Sequence, residues 1–346
     1  MDVSGRGISR SENRDASARL SALYTRFADE EFYGRSPLYE AISRGVASSP
    51  EVLGFLATLP PGKWQPNLLL ASVRHVCGLL SSWPEFLERL LTNPDAVRAT
   101  MLTHSTQTNE PARCATLLPV FARLPQPLAL IEVGASVGLC LLPDLYAYDY
   151  VGHVIRPSTA ETPPPVFACS TTAATPVPTS LPEIVWRAGI DLNPLDASDP
   201  AQVEWLETLV WPEQTRRREN LRAALKIATR HRPRIEQGDL HGDGLERLCR
   251  EAPSDATLVI FHTAVLAYVA ERSERELFGA RAMSLCDYWI ANEAPRLLPA
   301  ISSLVAAAGA PGQYLLSVNG LPVAWTDPHG SAIDWISDPE VKTGRP

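Results

Sequence analysis

The chain has 346 residues, of which 45% are hydrophobic and 20% are charged. These proportions are those of an ordinary soluble globular protein, and the length allows a large core in two structural parts. The formal net charge of -8 argues against broad electrostatic binding to nucleic acid or to an anionic membrane. No apolar run is long enough to span a bilayer, and the first fifteen residues lack the apolar core of a signal peptide. We therefore expect a cytoplasmic protein.

The six cysteines are scattered along the chain without C-x-x-C or Cys/His spacing. This pattern indicates buried, reduced thiols and argues against a structural zinc site. We therefore expect no metal.

The first third of the chain has helical periodicity. Ser36-Pro37 and Ser49-Pro50 are each typical of a helix N-cap followed by proline at the first helical position. Residues 67–80 are apolar nearly all round and predict a central buried helix. No convincing strand precedes residue 128. We therefore predict a helical lid or substrate domain over residues 1–126, followed by a second domain over residues 127–346.

Residues 128–142 read LALIEVGASVGLCLL and organise the second domain. The apolar start predicts a strand buried on both faces, as in a parallel sheet. The small residues 134–138 predict a tight turn, where missing side chains let a ligand approach the backbone. The apolar stretch that follows predicts a helix that ends near residues 146–150 and whose N-terminus faces the ligand. Strand, turn and helix together are typical of the entry to a nucleotide-binding α/β sheet.

The rest of the chain alternates between strand and helix patterns. Residues 157–182 are rich in Pro, Thr and Ala, and predict a Pro-rich insertion that is a lid, an inserted hairpin or plain surface disorder. Further strands are predicted from apolar or β-branched runs bounded by turn residues. They cover residues 184–191, 234–240, 257–268 and 288–293, and a terminal antiparallel hairpin is predicted from residues 313–318 and 332–336.

Two kinds of site could use the turn. Glu132 stands two places before Gly134, and the pattern E-x-G-x-x-x-G resembles the first motif of class I S-adenosylmethionine-dependent methyltransferases. The same residues spell G-x-S-x-G, the nucleophile elbow of α/β-hydrolases, which would make Ser136 a nucleophile with His329 in the correct chain order. A hydrolase places several strands before its elbow, and here the elbow would follow the first strand. Both interpretations stay open, and the first is favoured.

Residues 128–336 resemble the class I methyltransferase superfamily in the order of their motifs. The resemblance implies a Rossmann-like, mostly parallel sheet that ends in an antiparallel hairpin. The chain also resembles an uncharacterised bacterial family of unknown function, through Gln107-Thr108-Asn109-Glu110, Asp191-Leu192-Asn193-Pro194-Leu195-Asp196 and Phe261-His262-Thr263. The cofactor implied is S-adenosyl-L-methionine, and the residues implied for it are Glu132, Gly134, Ala135, Ser136, Gly138, Asp191, Leu192, Asp239, Leu240 and His262.

The leading functional hypothesis is methyl transfer to a small-molecule acceptor. His262 or Glu293 would remove a proton from the acceptor, although His262 could equally hydrogen-bond a neighbouring backbone group. The polar residues Gln107, Asn109 and Glu110 would reach the substrate, unless Asn109 is only a helix cap. A serine hydrolase and a binding protein that keeps the fold without turnover remain alternatives. A homodimer is left open.

Overall fold

The computed structural model describes residues 10–107, 109–158 and 163–336. Its contacts group the chain into two compact units. The helical unit comprises Met1–Thr108 and Glu204–Arg218, and the sheet unit comprises Asn109–Val203 and Glu219–Pro346. Residues 109–126, which the sequence analysis assigned to the first domain, group with the sheet, because Asn109 and the helix after it contact residues of the sheet unit.

The helical unit has a continuous apolar core. Ser36 and Ser49 cap their helices as predicted, since their hydroxyls accept the N–H groups of Tyr39 at 3.2 Å and Val52 at 3.3 Å. The predicted central helix forms and ends at Gly78, whose φ is 83°. The helices are α1 (Arg10–Phe27), α2 (Pro37–Ser48), α3 (Pro50–Ala57), α4 (Pro66–Cys77), α5 (Trp83–Thr92) and α6 (Pro94–Thr103).

The described part of the sheet unit contains one large, mostly parallel sheet. Its strands lie in the order β5-β12-β11-β10-β9-β8-β1-β6-β7. Strands β7, β6, β1, β8 and β9 are parallel, and β10 to β12 continue the sheet in antiparallel fashion. The bounds are β1 (Leu128–Val133), β5 (Ser170–Thr171), β6 (Ile184–Asp191), β7 (Arg234–Gln237), β8 (Thr257–Thr263), β9 (Tyr288–Glu293), β10 (Tyr314–Val318), β11 (Leu321–Thr326) and β12 (Ala332–Trp335).

Helices cover this sheet on both faces. On one face Phe121 packs against Phe261 at a ring distance of 5.5 Å. On the other face Ile131 and Ile260 share a buried core with Phe278. The helices of the unit are α7 (Cys114–Phe121), α8 (Pro200–Leu209), α9 (Thr215–His231), α10 (Gly244–Glu251), α11 (Arg272–Leu285) and α12 (Pro299–Ser302), of which α8 and α9 extend across the division between the units.

The structure corrects the prediction of a helix after the turn. Leu139–Leu141 and Pro143–Leu145 form only short 3₁₀ turns. Residues 147–150, predicted as the end of that helix, form a strand instead, because Tyr146 and Tyr148 are buried and donate their hydroxyls to nearby backbone carbonyls. A small second sheet results, from β2 (Ala147–Tyr150), β3 (His153–Ile155) and β4 (Val166–Ala168).

The end of the sheet also differs from its prediction. The sheet ends in antiparallel strands, as predicted. However, β10 pairs with β11, a strand that was not predicted from the sequence, and β12 pairs with the other edge of β11. Pro322 and the turn at Asn319-Gly320 hid this strand, since proline is uncommon within strands. Between β9 and β10 the chain forms a 3₁₀ turn at Pro295–Leu297 and then the short helix α12.

The Pro-rich insertion supplies the short strands β4 and β5, and its residues 159–162 lie outside the described part of the chain. Within the described ranges we find no helix with the length and apolarity needed to span a bilayer.

Candidate functional site

The order of the parallel strands places a switch point between β1 and β8. From β1 the chain proceeds through β6 to β7 on one side, and then returns to form β8 and β9 on the other side. Ligands of open α/β sheets bind beyond the carboxyl ends of the strands at such a point. Polar residues stand at these ends: Glu132 on β1, Asp191 on β6, His262 and Thr263 on β8, and Asn292 and Glu293 on β9.

The glycine turn, residues 134–138, follows β1. Gly134 and Gly138 have φ values of 74° and 77°, which favour glycine. A Cβ atom on Gly134 would lie 2.3 Å from Cγ2 of Val265, and one on Gly138 would lie 2.8 Å from Cγ of Pro233. Protein atoms therefore occupy the side of each glycine on which a Cβ atom would lie. The two glycines are required by backbone conformation and by packing.

Asp191 and Asn109 hold this turn in place. The Ser136 N–H donates to Asp191 Oδ2 at 2.8 Å, and the Asn193 N–H donates to Asp191 Oδ1 at 2.8 Å. The Val137 N–H donates to Asn109 Oδ1 at 3.2 Å, and the Asn109 amide donates to the Ser136 hydroxyl. Asn109 comes from the polar segment that was predicted to reach the site, and the structure brings it to the turn.

Glu132 is the least satisfied group of the site. Its side chain is 4% exposed, and Oε2 has no hydrogen-bond partner among the described residues. Burial raises the pKa of Glu132 well above its ordinary value of 4.5, and the neighbouring Cys140 and Asp191 act in the same direction, whereas Arg113 lowers it. A buried carboxyl without a donor is costly. Glu132 is therefore suited either to keep a proton or to meet a ligand that carries a cation or hydroxyl groups.

Arg113 is a buried part of the site that the sequence analysis missed. The residue is 4% exposed, and its Nε donates to the Pro328 carbonyl at 2.8 Å. Its Nη1 donates to the carbonyl and hydroxyl oxygens of Thr263, at 3.1 and 3.2 Å. Arg113 is the single charged residue between Glu110 and Arg123. That isolation in an apolar segment was a signal for a buried, paired guanidinium.

His262 and Glu293, the predicted proton acceptors, lie on the opposite face of the sheet from Glu132. Phe261 pairs with Glu132 and shares its face, so the next residue, His262, points the other way. There His262 packs against Phe278 at a ring distance of 5.4 Å. His262 Nδ1 donates to Glu293 Oε1 at 2.8 Å, and the pair is 0% and 1% exposed. The structure therefore brings these two residues together but separates them from Glu132.

Glu293 also organises the turn after β8. Its Oε1 accepts the N–H groups of Val265 at 2.8 Å and Leu266 at 3.2 Å. Ala264 has a φ of 58°, a conformation that side chains disfavour. The carboxylate holds Val265 where it packs on Gly134. Glu293 is thus connected with the glycine turn through the backbone of this segment.

The remaining predicted residues lie at several places. Asp239 is exposed, and its Oδ1 accepts the His241 N–H at 2.9 Å within its own loop. Leu192 is 65% exposed beside Asp191, and Leu240 packs partly on the core. Ala135 is buried in the turn. Glu110 is 3% exposed, near Asn109, whereas Gln107 belongs to the helical unit.

The hydrolase alternative requires an imidazole at Ser136. Ser136 has a φ of 51°, as a strained elbow would. Its hydroxyl, however, accepts a hydrogen bond from the amide of Asn109, and no imidazole contact of Ser136 occurs among the described residues. Nor do the described residues contain a group of three or more His, Cys, Asp or Glu side chains that could hold a metal ion.

Comparison with known proteins gives one match. A family model described as "Uncharacterized protein conserved in bacteria (DUF2332)" matches residues 21–335. No curated protein and no solved structure matches the chain. The expected resemblance to an uncharacterised bacterial family is therefore confirmed, whereas nothing in these comparisons supports the resemblance to class I methyltransferases.

Proposed function

We propose that this chain, which belongs to the family of uncharacterized proteins conserved in bacteria (DUF2332), binds S-adenosyl-L-methionine and transfers its methyl group to a small-molecule acceptor. The observation that carries the proposal is the buried carboxyl of Glu132 at the carboxyl end of the first strand, whose Oε2 has no hydrogen-bond partner among the described residues. S-adenosyl-L-methionine carries an ammonium group and a sulfonium, and either cation could pair with this carboxyl.

The charge around Glu132 favours such a ligand. Asp191 and Glu132 point to the same face, because Glu132 pairs with Gly189 and Asp191 stands two residues further along β6. Arg113 is the cation that acts on Glu132, and it already donates to Thr263 and Pro328. Ionisation of Glu132 is disfavoured by burial and by the neighbouring Asp191, and Arg113, engaged elsewhere, offsets this only in part. A cationic ligand would stabilise the ionised form of Glu132.

Asp191 fits the ribose hydroxyls of the same ligand. Each of its carboxylate oxygens accepts one backbone N–H, from Ser136 and from Asn193. A carboxylate oxygen has a second lone pair, so each can still accept one hydroxyl group. The exposed side chain of Leu192 lies next to Asp191 in the chain and offers apolar surface beside it.

Methyl transfer from a sulfonium needs little general acid or base catalysis. A sulfonium is a good leaving group, so the methyl transfer that the cofactor supplies depends mainly on position and on exclusion of water. The rigid turn between Glu132 and Asp191 would provide that position. His262 and Glu293 contact each other on the other face of the sheet, and the proposal assigns them no proton transfer.

The test is isothermal titration calorimetry of the full chain with S-adenosyl-L-methionine, in buffers of different ionisation enthalpy. We expect binding with release of protons, because a cation beside Glu132 lowers its raised pKa. Glu132→Gln should weaken binding at least tenfold and abolish the proton release. Glu274→Gln, at an exposed position of α11, is the matched control. Equal binding by wild type and Glu132→Gln, or no binding by wild type, would contradict the proposal.

Two further measurements separate the alternatives. Transfer of a labelled methyl group into small molecules of a bacterial extract would distinguish an enzyme from a binding protein without turnover. Labelling of Ser136 by a fluorophosphonate would favour the hydrolase. The contact of Ser136 with Asn109 predicts that this labelling fails.

A further inference from the structure

A cavity of about 400 Å³ lies beside the loop after β6, the end of α9 and the start of β7. Val137, Leu195 and Ile235 give it apolar walls, and Asp196 and Arg232 are charged residues of its lining. Neither Glu132 nor Asp191 lines it. Its volume is that of a site for a small molecule. It borders the glycine turn through Val137 but contains neither carboxyl of the proposed function.

The two charged residues have opposite signs and do not neutralise each other by contact. The Ser198 hydroxyl and N–H donate to Asp196 Oδ1 at 2.6 and 2.7 Å. These bonds lower the pKa of Asp196 most, and the charge of Arg232 lowers it further. Among the described residues, however, no ion pair joins Asp196 and Arg232. The cavity therefore presents a carboxylate and a guanidinium that a ligand can meet separately.

Arg232 is held in a strained conformation at this cavity. It follows the last residue of α9 with a φ of 42°, and its N–H donates to the Ala228 carbonyl at 2.8 Å. This left-handed position after a helix is usually occupied by glycine. An arginine here costs stability, and strained residues of this kind concentrate at binding sites. A ligand-binding role of the Arg232 guanidinium at this cavity would explain why an arginine occupies the strained position.

We propose that this cavity binds a free α-amino acid with an apolar side chain. The ammonium group of the ligand would donate to Asp196, and its carboxylate would accept two hydrogen bonds from the Arg232 guanidinium. Its side chain would lie on the apolar walls formed by Val137, Leu195 and Ile235. A ligand with a single charge gains only one of these two contacts. This site does not depend on the proposed function of Glu132.

The experiment uses calorimetry of the full chain with L-leucine and two analogues that each lack one charge. These are 4-methylpentanoate, which has no ammonium group, and 3-methylbutylamine, which has no carboxylate. We expect L-leucine to bind at least tenfold more tightly than either analogue. Absence of L-leucine binding at millimolar concentration would overturn the proposal.

Substitutions assign each charge of the ligand to its partner. Asp196→Asn should weaken binding of L-leucine and 3-methylbutylamine but leave binding of 4-methylpentanoate unchanged. Arg232→Asn should weaken binding of L-leucine and 4-methylpentanoate but leave binding of 3-methylbutylamine unchanged. Asparagine is chosen at position 232 because it tolerates the left-handed conformation. The exposed pair Asp255→Asn and Arg250→Asn provides controls that should bind all three probes as wild type does. Equal effects of a cavity substitution on both analogues would contradict the assignment.

A third variant tests the cavity itself without changing charge. Ala197 lines the cavity in a loop, where a larger side chain is tolerated better than in a helix, and Ala197→Phe should abolish L-leucine binding. Ala201→Phe, on the exposed surface of α8, is the matched control. Retention of wild-type L-leucine affinity by Ala197→Phe would show that the amino acid binds elsewhere.

Discussion

The Ser136 N–H donates to the Asp191 carboxylate at 2.8 Å, and this bond ties the glycine turn after β1 to the end of β6. Asp191 therefore shapes the site before any ligand arrives. The opposite carboxylate oxygen fixes Asn193 in the loop after β6. The geometry of the turn and of the neighbouring loop depends on one side chain.

Replacing Asp191 with alanine should destabilise the protein as well as weaken ligand binding. Hydrogen bonds to a charged acceptor contribute roughly 1.5–3 kcal/mol each, so we expect a loss of about 2 kcal/mol or more in the free energy of unfolding. Urea denaturation followed by circular dichroism measures this loss. Asp334→Ala, at an exposed position of β12, should change stability little. A stable Asp191→Ala variant would show that the turn does not need this carboxylate.

Gly134→Ala should destabilise the chain through a clash with Val265. The new Cβ would lie 2.3 Å from Val265 Cγ2, at a backbone φ of 74°. Overpacking typically costs about 1–3 kcal/mol, and the left-handed conformation adds about 1 kcal/mol. Because Val265→Ala removes the clashing atoms, the double variant should be more stable than the sum of the two single effects predicts. Additive effects in this double-mutant cycle would refute the assignment of the clash to Val265.

The stability of the chain should fall as the pH rises above the ordinary carboxyl range, in part because of Glu132. Its folded-state pKa is raised above 4.5, chiefly by burial, so the folded state holds a proton that the unfolded state has lost. The contribution of Glu132 to the free energy of unfolding therefore falls as the pH rises from 4.5 to the raised pKa. Glu132→Gln should remove this loss and be more stable than wild type at pH 8, by roughly 1–3 kcal/mol. Parallel stability curves of the two proteins from pH 4 to pH 8 would contradict this expectation.

Glu293→Ala should be strongly destabilising. The substitution leaves His262 and the N–H groups of Val265 and Leu266 without their common acceptor. Breaking a buried pair of this kind costs about 3–5 kcal/mol. Glu293→Gln keeps an oxygen at the same place and should lose less. Thermal unfolding of both variants measures the difference in stability, with Glu274→Ala as an exposed control. Equal losses of stability in Glu293→Ala and Glu293→Gln would argue against the role of Glu293 as a hydrogen-bond acceptor.

The strands of the parallel part of the sheet and their polar ends could be predicted from the sequence, because the signals are local. A short apolar run that ends in turn residues, such as residues 128–133, favours a buried strand, and Ser36 or Ser49 before proline is a complete cap within four residues. The polar segment around Asn109 is also recognisable in the sequence, although the contact of Asn109 with Ser136 joins residues 27 positions apart. The pairing of Glu132 with a ligand remains a prediction.

The features that could not be predicted from the sequence depend on contacts between residues that are distant in the chain. The sequence could not show that the turn glycines also pack against Val265 and Pro233, which are far away in the chain. The apolar segment after the turn satisfies helical periodicity, yet it forms 3₁₀ turns and leads into a small sheet that pairs residues 147–149 with residues 166–168. Arg113 finds its acceptors at Thr263 and Pro328, 150 and 215 positions away.

The sequence by itself determined that the chain has a helical part, then a mostly parallel sheet with acidic or polar residues at the strand ends, because side-chain periodicity and capping act over a few residues. Only the tertiary structure decided that Glu132 and Asp191 share one face while His262 and Glu293 pair on the other, that Arg113 joins the site, and that Asp196 and Arg232 meet at one cavity. Strand register and the packing of distant segments set these relationships, and neither is encoded in any short stretch of the chain.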